Sequence, residues 1–184
     1  MTFDKQKAEA SKKSLQNANL KKAHLQEADL SDGILIEACL EESDLSEADL
    51  CGADLSAANL KNAKLKGATL IEVNLESANI ENGNLSDANL RDANLVKTFL
   101  SGANFMMTDL GGANLSEAKL MDANLSGTNL TASKLNMSDL SRTKFIGSVL
   151  KNAELNKANL SDTNLSKVNL RGASLKEAIL DNSK

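Results

Sequence analysis

From Leu15 to Leu180 a large apolar side chain recurs at every fifth position without a break in register. The 34 centres are 31 Leu plus Ile80, Phe105 and Phe145. Two residues before each centre, from Ala18 to Ala178, stands a small side chain: Ala at 20 of 33 positions, otherwise Gly, Ser, Thr or Val. One residue before the centre, Asn or Asp dominates, as in Ala18-Asn19-Leu20, Ala53-Asp54-Leu55 and Ala123-Asn124-Leu125. The two positions after it are mostly Ser, Lys, Glu, Asp, Asn and Gly. No regular element accommodates this period. Five residues of α-helix advance by about 500°, which scatters the leucines around the axis. On one continuous strand an odd spacing sends successive leucines to opposite faces. The chain must therefore turn once per repeat, so that every Leu points back toward one axis. The Asn, Asp, Ser and Gly beside each Leu supply the turn chemistry. A complete lack of Pro fits coil-to-coil pairing that needs every backbone N–H.

The uninterrupted tandem A(D/N)LXX resembles the pentapeptide-repeat family, over roughly nine-tenths of the chain. The resemblance implies an all-β fold, a right-handed quadrilateral β-helix with four pentapeptides per coil. The repeats then make about 8.5 coils, and at a strand spacing of about 4.8 Å the rod is about 40 Å long. Residues 14–184 are expected to form this single solenoid, with 1–13 as an N-terminal cap or a disordered segment. In the cap reading Thr2 starts a short helix and Phe3 lies over the first Leu layer. Phe105 and Phe145, two coils apart on one face, read as core packing. Asn74, Asn94 and Asn114, like Asn84, Asn104 and Asn124, recur at the coil period and are expected to stack as amide ladders or to satisfy turn backbone.

Composition excludes several functions. No stretch of the 184 residues approaches a membrane span, and Met1–Lys13 has no apolar core of a secretory signal. A net charge of −4 argues against direct nucleic-acid binding. The single histidine, His24, stands at an outward position and reads as a solvated surface group. Neither CxxC, HExxH nor a phosphate-binding glycine loop occurs. Cys39 and Cys51 fall on opposite sides of the inferred coil, which argues against a disulfide or a shared metal. No catalytic, cofactor or metal residue is therefore assigned, and a reduced, cytoplasmic setting is expected.

Charge and surface hydrophobes change the picture. Residues 23–60 hold ten acids and no Lys or Arg, among them Glu27, Asp29, Glu41, Glu42, Asp44, Glu47 and Asp49. Residues 119–184 carry ten Lys or Arg against six acids. The acidic band reads either as a docking surface or as solvation that keeps the rod soluble. The column Lys21, Glu41, Lys61, Glu81 alternates in sign, which suits pairing between coils. Phe99, Met106, Met107 and Ile146, with Val96, read as a shallow apolar shelf for a partner or as scattered surface hydrophobes. Ile34 and Ile36 make a smaller pair elsewhere. Only Asp181–Lys184 follow Leu180, unlike the quinolone-resistance members of the family, whose dimer forms through a segment after the last coil. Ile179 and Leu180 are the candidate self-association residues, with Arg171, Lys176, Glu177 and Asp181 nearby.

The expected function is that of a non-enzymatic rigid rod, a protein-interaction or scaffold module for an unidentified protein partner. The alternative that the resemblance supplies is a DNA mimic binding DNA gyrase or another topoisomerase. The acids crowd one end, whereas DNA carries its charge evenly.

Overall fold

The computed structural model describes residues 5–184. Thr2 and Phe3 lie outside that range, so the capping roles expected of them do too. A short helix, α1 (Lys5–Ala10), and a 3-10 turn (Lys12–Ser14) precede the first apolar centre. They seat on the first coil through named contacts. Ala8 is fully buried. Glu9 accepts the N–H of Asp29 at 2.9 Å, and the Lys12 carbonyl accepts that of Ile34 at 2.7 Å.

Beyond Ser14 the chain is a four-sided β-helix. Parallel bridges join residues 20 apart from Asn19↔Cys39 to Asn159↔Ile179. Each bridge is a single residue, the one before the apolar centre. The four bridge columns define four faces. Face A runs through Asn79, Phe99 and Lys119; face B through Asn84, Asn104 and Asn124; face C through Asp29, Asp49 and Thr69; face D through Asp54, Asn74 and Asn94. Taken in chain order around the square, A lies opposite C and B opposite D. The centres point inward, and from Leu15 to Leu160 each is at most 2% exposed. The small residue two before each centre is buried with them, directly after the corner, where a larger side chain would collide with the Leu layer. Phe105 and Phe145 are both fully buried. They fill the interior as core.

Each corner is a β-turn spanning the two residues after a centre. The N–H two before the next centre donates to the previous centre's carbonyl, as Ala23 does to Leu20 at 3.0 Å. The second corner residue is left-handed at every repeat, with φ between 48° and 76° from Asn17 to Asn182. Seven of these residues are Gly and the rest are not. A side chain in this region costs about 1–2 kcal/mol, least for Asn and Asp. The corner N–H bonds along the rod offset that cost, as from Lys22 to Glu41 at 2.9 Å. At Gly112 (φ 72°) glycine also makes room, because the Asp92 carboxylate of the preceding coil lies over it.

Donor accounting explains the consensus. In the repeats of the interior coils, four of the five backbone N–H groups bond to backbone carbonyls of the same or a neighbouring coil. The fifth belongs to the first corner residue and has no backbone acceptor. It donates instead to the Oδ1 of the Asn or Asp two residues earlier, and every Asn and Asp at that position accepts this bond. Both expectations for the Asn columns therefore hold together. While Oδ1 closes the corner, Nδ2 donates one coil back, from Asn94 to Asn74 at 3.0 Å and from Asn124 to Asn104 at 3.3 Å. Buried Ser and Thr in the small-residue column are satisfied as well, as Thr128 is by the Phe105 carbonyl at 2.7 Å. Replacing Asn104 by Ala removes a corner cap and two ladder bonds and is expected to cost about 1–2 kcal/mol. Asn104→Asp keeps the cap and should lose less. Thermal melts of the three proteins check the order, and equal melting temperatures would refute this role for the Asx side chain.

Candidate functional site

With the interior filled, only the outward columns are available for function. The structure divides the acidic band into two groups. Glu41, Glu42 and Asp44 sit at the A–B corner and on face B, each beside a lysine one coil away. Lys21 is 2.9 Å from Glu41, Lys22 is 3.2 Å from Glu42 and Lys64 is 3.5 Å from Asp44. Lys61 and Glu81 continue the alternating column at 3.0 Å. The Glu41 hydrogen bond holds the Lys21 ammonium above its usual pKa. These groups stabilise the coil stack, each pair modestly because it is exposed.

The second group occupies face C and its two corners: Glu27, Asp29, Glu47 and Asp49, together with Asp32 and Glu72. Only Asp29 has a cationic partner, Lys12 of the 3-10 turn at 2.8 Å. Lys12 and the Ser31 hydroxyl and N–H hold the Asp29 carboxyl far below the usual carboxylate range. Among the described residues the other five carboxylates make no ion pair. Cys51 sits among them. Burial first, and then the charges of Asp49, Glu72 and Asp32, push its thiol pKa up.

The apolar side chains do not form one shelf, which corrects that expectation. Met106, Met107 and Ile146 lie at the B–C corner, 44%, 63% and 65% exposed, and Met107 extends over Gly127. Phe99 lies on face A, about a third of a turn away from that corner, because one coil carries the chain past every side of the square. Phe99 groups instead with Met137 and Lys97 of the D–A corner, around a groove of about 470 Å³ that Ser77, Glu117 and Lys119 complete. Met137, 57% exposed, was not among the residues singled out from the sequence. Its signal was present: it stands two coil periods after Lys97.

His24 is exposed on face B, above a shallow depression it shares with Lys22, Glu42, Asp44, Asn62 and Lys64. Cys39 on face A and Cys51 at the C–D corner are both free thiols. Among the described residues no helix is long and apolar enough to cross a membrane. Ile179 and Leu180 are 48% and 45% exposed, and Glu177 faces Lys157 of the same chain at 3.7 Å.

Geometry and repeat define a β-helical solenoid whose surface columns are its variable part. The family model "Pentapeptide repeats" matches in eight copies between residues 14 and 184. The crystal structure of HetL, a pentapeptide repeat protein involved in heterocyst differentiation regulation from the cyanobacterium Nostoc sp. strain PCC 7120, is 30% identical. The match covers 95% of this chain and 90% of that one, with a TM-score of 0.61. A trypsin-treated variant of QnrB1, a plasmid-mediated fluoroquinolone resistance protein, is 21% identical over 86% of this chain and 80% of that one, with a TM-score of 0.80. No curated protein matches the chain. The protein belongs to the pentapeptide-repeat family, and its solenoid is the right-handed quadrilateral β-helix of these structures.

The raised Cys51 thiol makes a direct probe of the face C field. At a pH below the shifted value less thiolate is present, so alkylation by iodoacetamide should be slower than for an unperturbed thiol. Asp49→Asn with Glu72→Gln should speed it, and so should added salt, which screens the carboxylates. A rate indifferent to both changes would refute the shared field.

Proposed function

We propose that this protein is a non-catalytic rigid rod that binds a partner protein, and that face C is its principal docking surface. The observation that carries this reading is the contrast in charge pairing. At the A–B corner the acids are matched with lysines between coils, whereas around face C the carboxylates of Glu27, Asp32, Glu47, Asp49 and Glu72 make no ion pair among the described residues, the Lys13 ammonium reaching only the backbone carbonyl of Asp32. Like charges stacked along a parallel column repel and cost stability. A basic surface on the partner would relieve that repulsion and speed encounter. Family membership supports a binding role rather than a catalytic one, and the free thiols suit a reducing, cytoplasmic setting.

The likeness to QnrB1 is a likeness of fold. It does not favour DNA mimicry, because the charge changes sign along this rod. A second surface is the last layer, where Leu165, Leu170 and Leu175 are only partly buried and Ile179 and Leu180 are exposed. We propose that a second copy packs there.

Charge reversal tests the main reading. Asp32→Lys, Asp49→Lys and Glu72→Lys together should abolish capture of the partner from host lysate, and about 0.3 M salt should weaken capture by wild type. Glu41→Lys, at a paired position, should leave it intact. The same set of captured proteins with the triple variant would refute the assignment of face C. For the end layer, light scattering over a concentration series should show a dimer that Ile179→Lys dissociates. A strict monomer would remove this second surface.

A further inference from the structure

The groove on face A, opposite the acidic face, combines three features. Phe99 and Met137 present apolar surface, 47% and 57% exposed. Lys97 and Lys119 flank them and have no ion-pair partner among the described residues, unlike Lys21, Lys22, Lys61 and Lys64. The third feature lies in the backbone. Phe99 and Lys119 occupy the Asn/Asp position in two successive coils, so the N–H groups of Ser101 and Met121 lose their caps. Among the described residues this is the one place where the first-corner N–H groups of two successive coils both have no acceptor. On face D, Lys134, Glu154 and Ser174 replace the Asx residue in three successive coils. There Asn136 and Asn156 accept the stranded N–H groups, of Asn156 and Lys176, at 3.0 and 3.1 Å. Nothing compensates on face A. Two successive corners are thus left open where the surface turns apolar and basic.

We infer that this groove binds an acidic segment of a partner protein that carries a large apolar side chain. The apolar group packs between Phe99 and Met137, whose flexible thioether adapts to it. Flanking carboxylates reach Lys97 beside Phe99 and Lys119 one coil further on, making charge-assisted bonds. Glu117, between the two lysines, disfavours basic segments. The inference rests on the reading of the rod as a binding module and adds a second partner chemistry on the opposite face.

The probe is the peptide acetyl-Glu-Asp-Trp-Asp-Glu-amide, titrated with the full chain. The protein has no Trp or Tyr, so indole emission reports the peptide alone. Wild type should blue-shift that emission saturably. Phe99→Asn should weaken binding at least about tenfold. This variant restores the consensus residue and its corner cap, so its melting temperature should not fall, and lost binding is then loss of the groove. Asp49→Lys with Glu72→Lys on face C should leave peptide binding unchanged. No shift with wild type at millimolar peptide would overturn the inference, as would equal binding of acetyl-Lys-Lys-Trp-Lys-Lys-amide or undiminished binding by Phe99→Asn. The assay reads face A alone, so its failure and that of the face C reading are separable.

Discussion

The hydrogen bond from the first corner residue to the preceding Asn or Asp is the interaction on which this architecture turns. A square coil of 20 residues bends at every fifth one, and each bend strands one N–H that no backbone carbonyl of a neighbouring coil accepts. In a structure whose other donors are mostly bound to backbone, a recurrent unpaired donor would favour water entry at each corner. The Asx side chain closes it from within the repeat. The same residue then has an amide left over, which it directs along the rod. Corner and stack are thus stabilised by one side chain, and the rod needs neither long strands nor regular helices beyond its cap.

Repetition in three dimensions puts residues of equal phase beside each other at the spacing of adjacent strands. Electrostatics on such a surface is a matter of columns. Where neighbouring coils carry opposite charges, as at the A–B corner, the column becomes a ladder of ion pairs. Where they carry the same charge without a lysine nearby, as Glu27 and Glu47 do, the repulsion is built into the fold and persists until something outside neutralises it. The stability of the core, with fully buried leucines in successive coils, is what allows the outer columns to be composed against their own interest.

Most of the fold was legible in the sequence because each inward position obeys one constraint. Leucine fills the axis, a small residue clears it, and Asx closes the corner. The corner's left-handed residue was not legible. Its requirement is on the backbone, and Glu, Lys, Asn, Asp and Gly all meet it there, so no residue type marks it. The site was legible only in part. Glu27, Asp29, Glu47 and Asp49 were found as a band along the chain, and Glu41, Glu42 and Asp44 were found in the same band. Only the folded columns separate the carboxylates that have lysines from those that do not. Phe99 was grouped with Met106 by closeness in sequence, although about a third of a coil lies between their directions. Met137 was overlooked for the converse reason, since 38 residues separate it from the Phe99 it adjoins.

The coil period also sets how such a protein can change over evolutionary time. Duplicating or deleting a single pentapeptide keeps every leucine inside and every corner at the same phase, so the rod still folds. It also turns everything downstream through a quarter of the square. The acidic face and the Phe99 groove, now opposed, would come to lie on adjacent sides if one repeat were inserted between them. Four repeats restore the original alignment in a rod one coil longer. In this architecture small length changes act as rotations, and the relative bearing of two surfaces is inherited as a count of repeats.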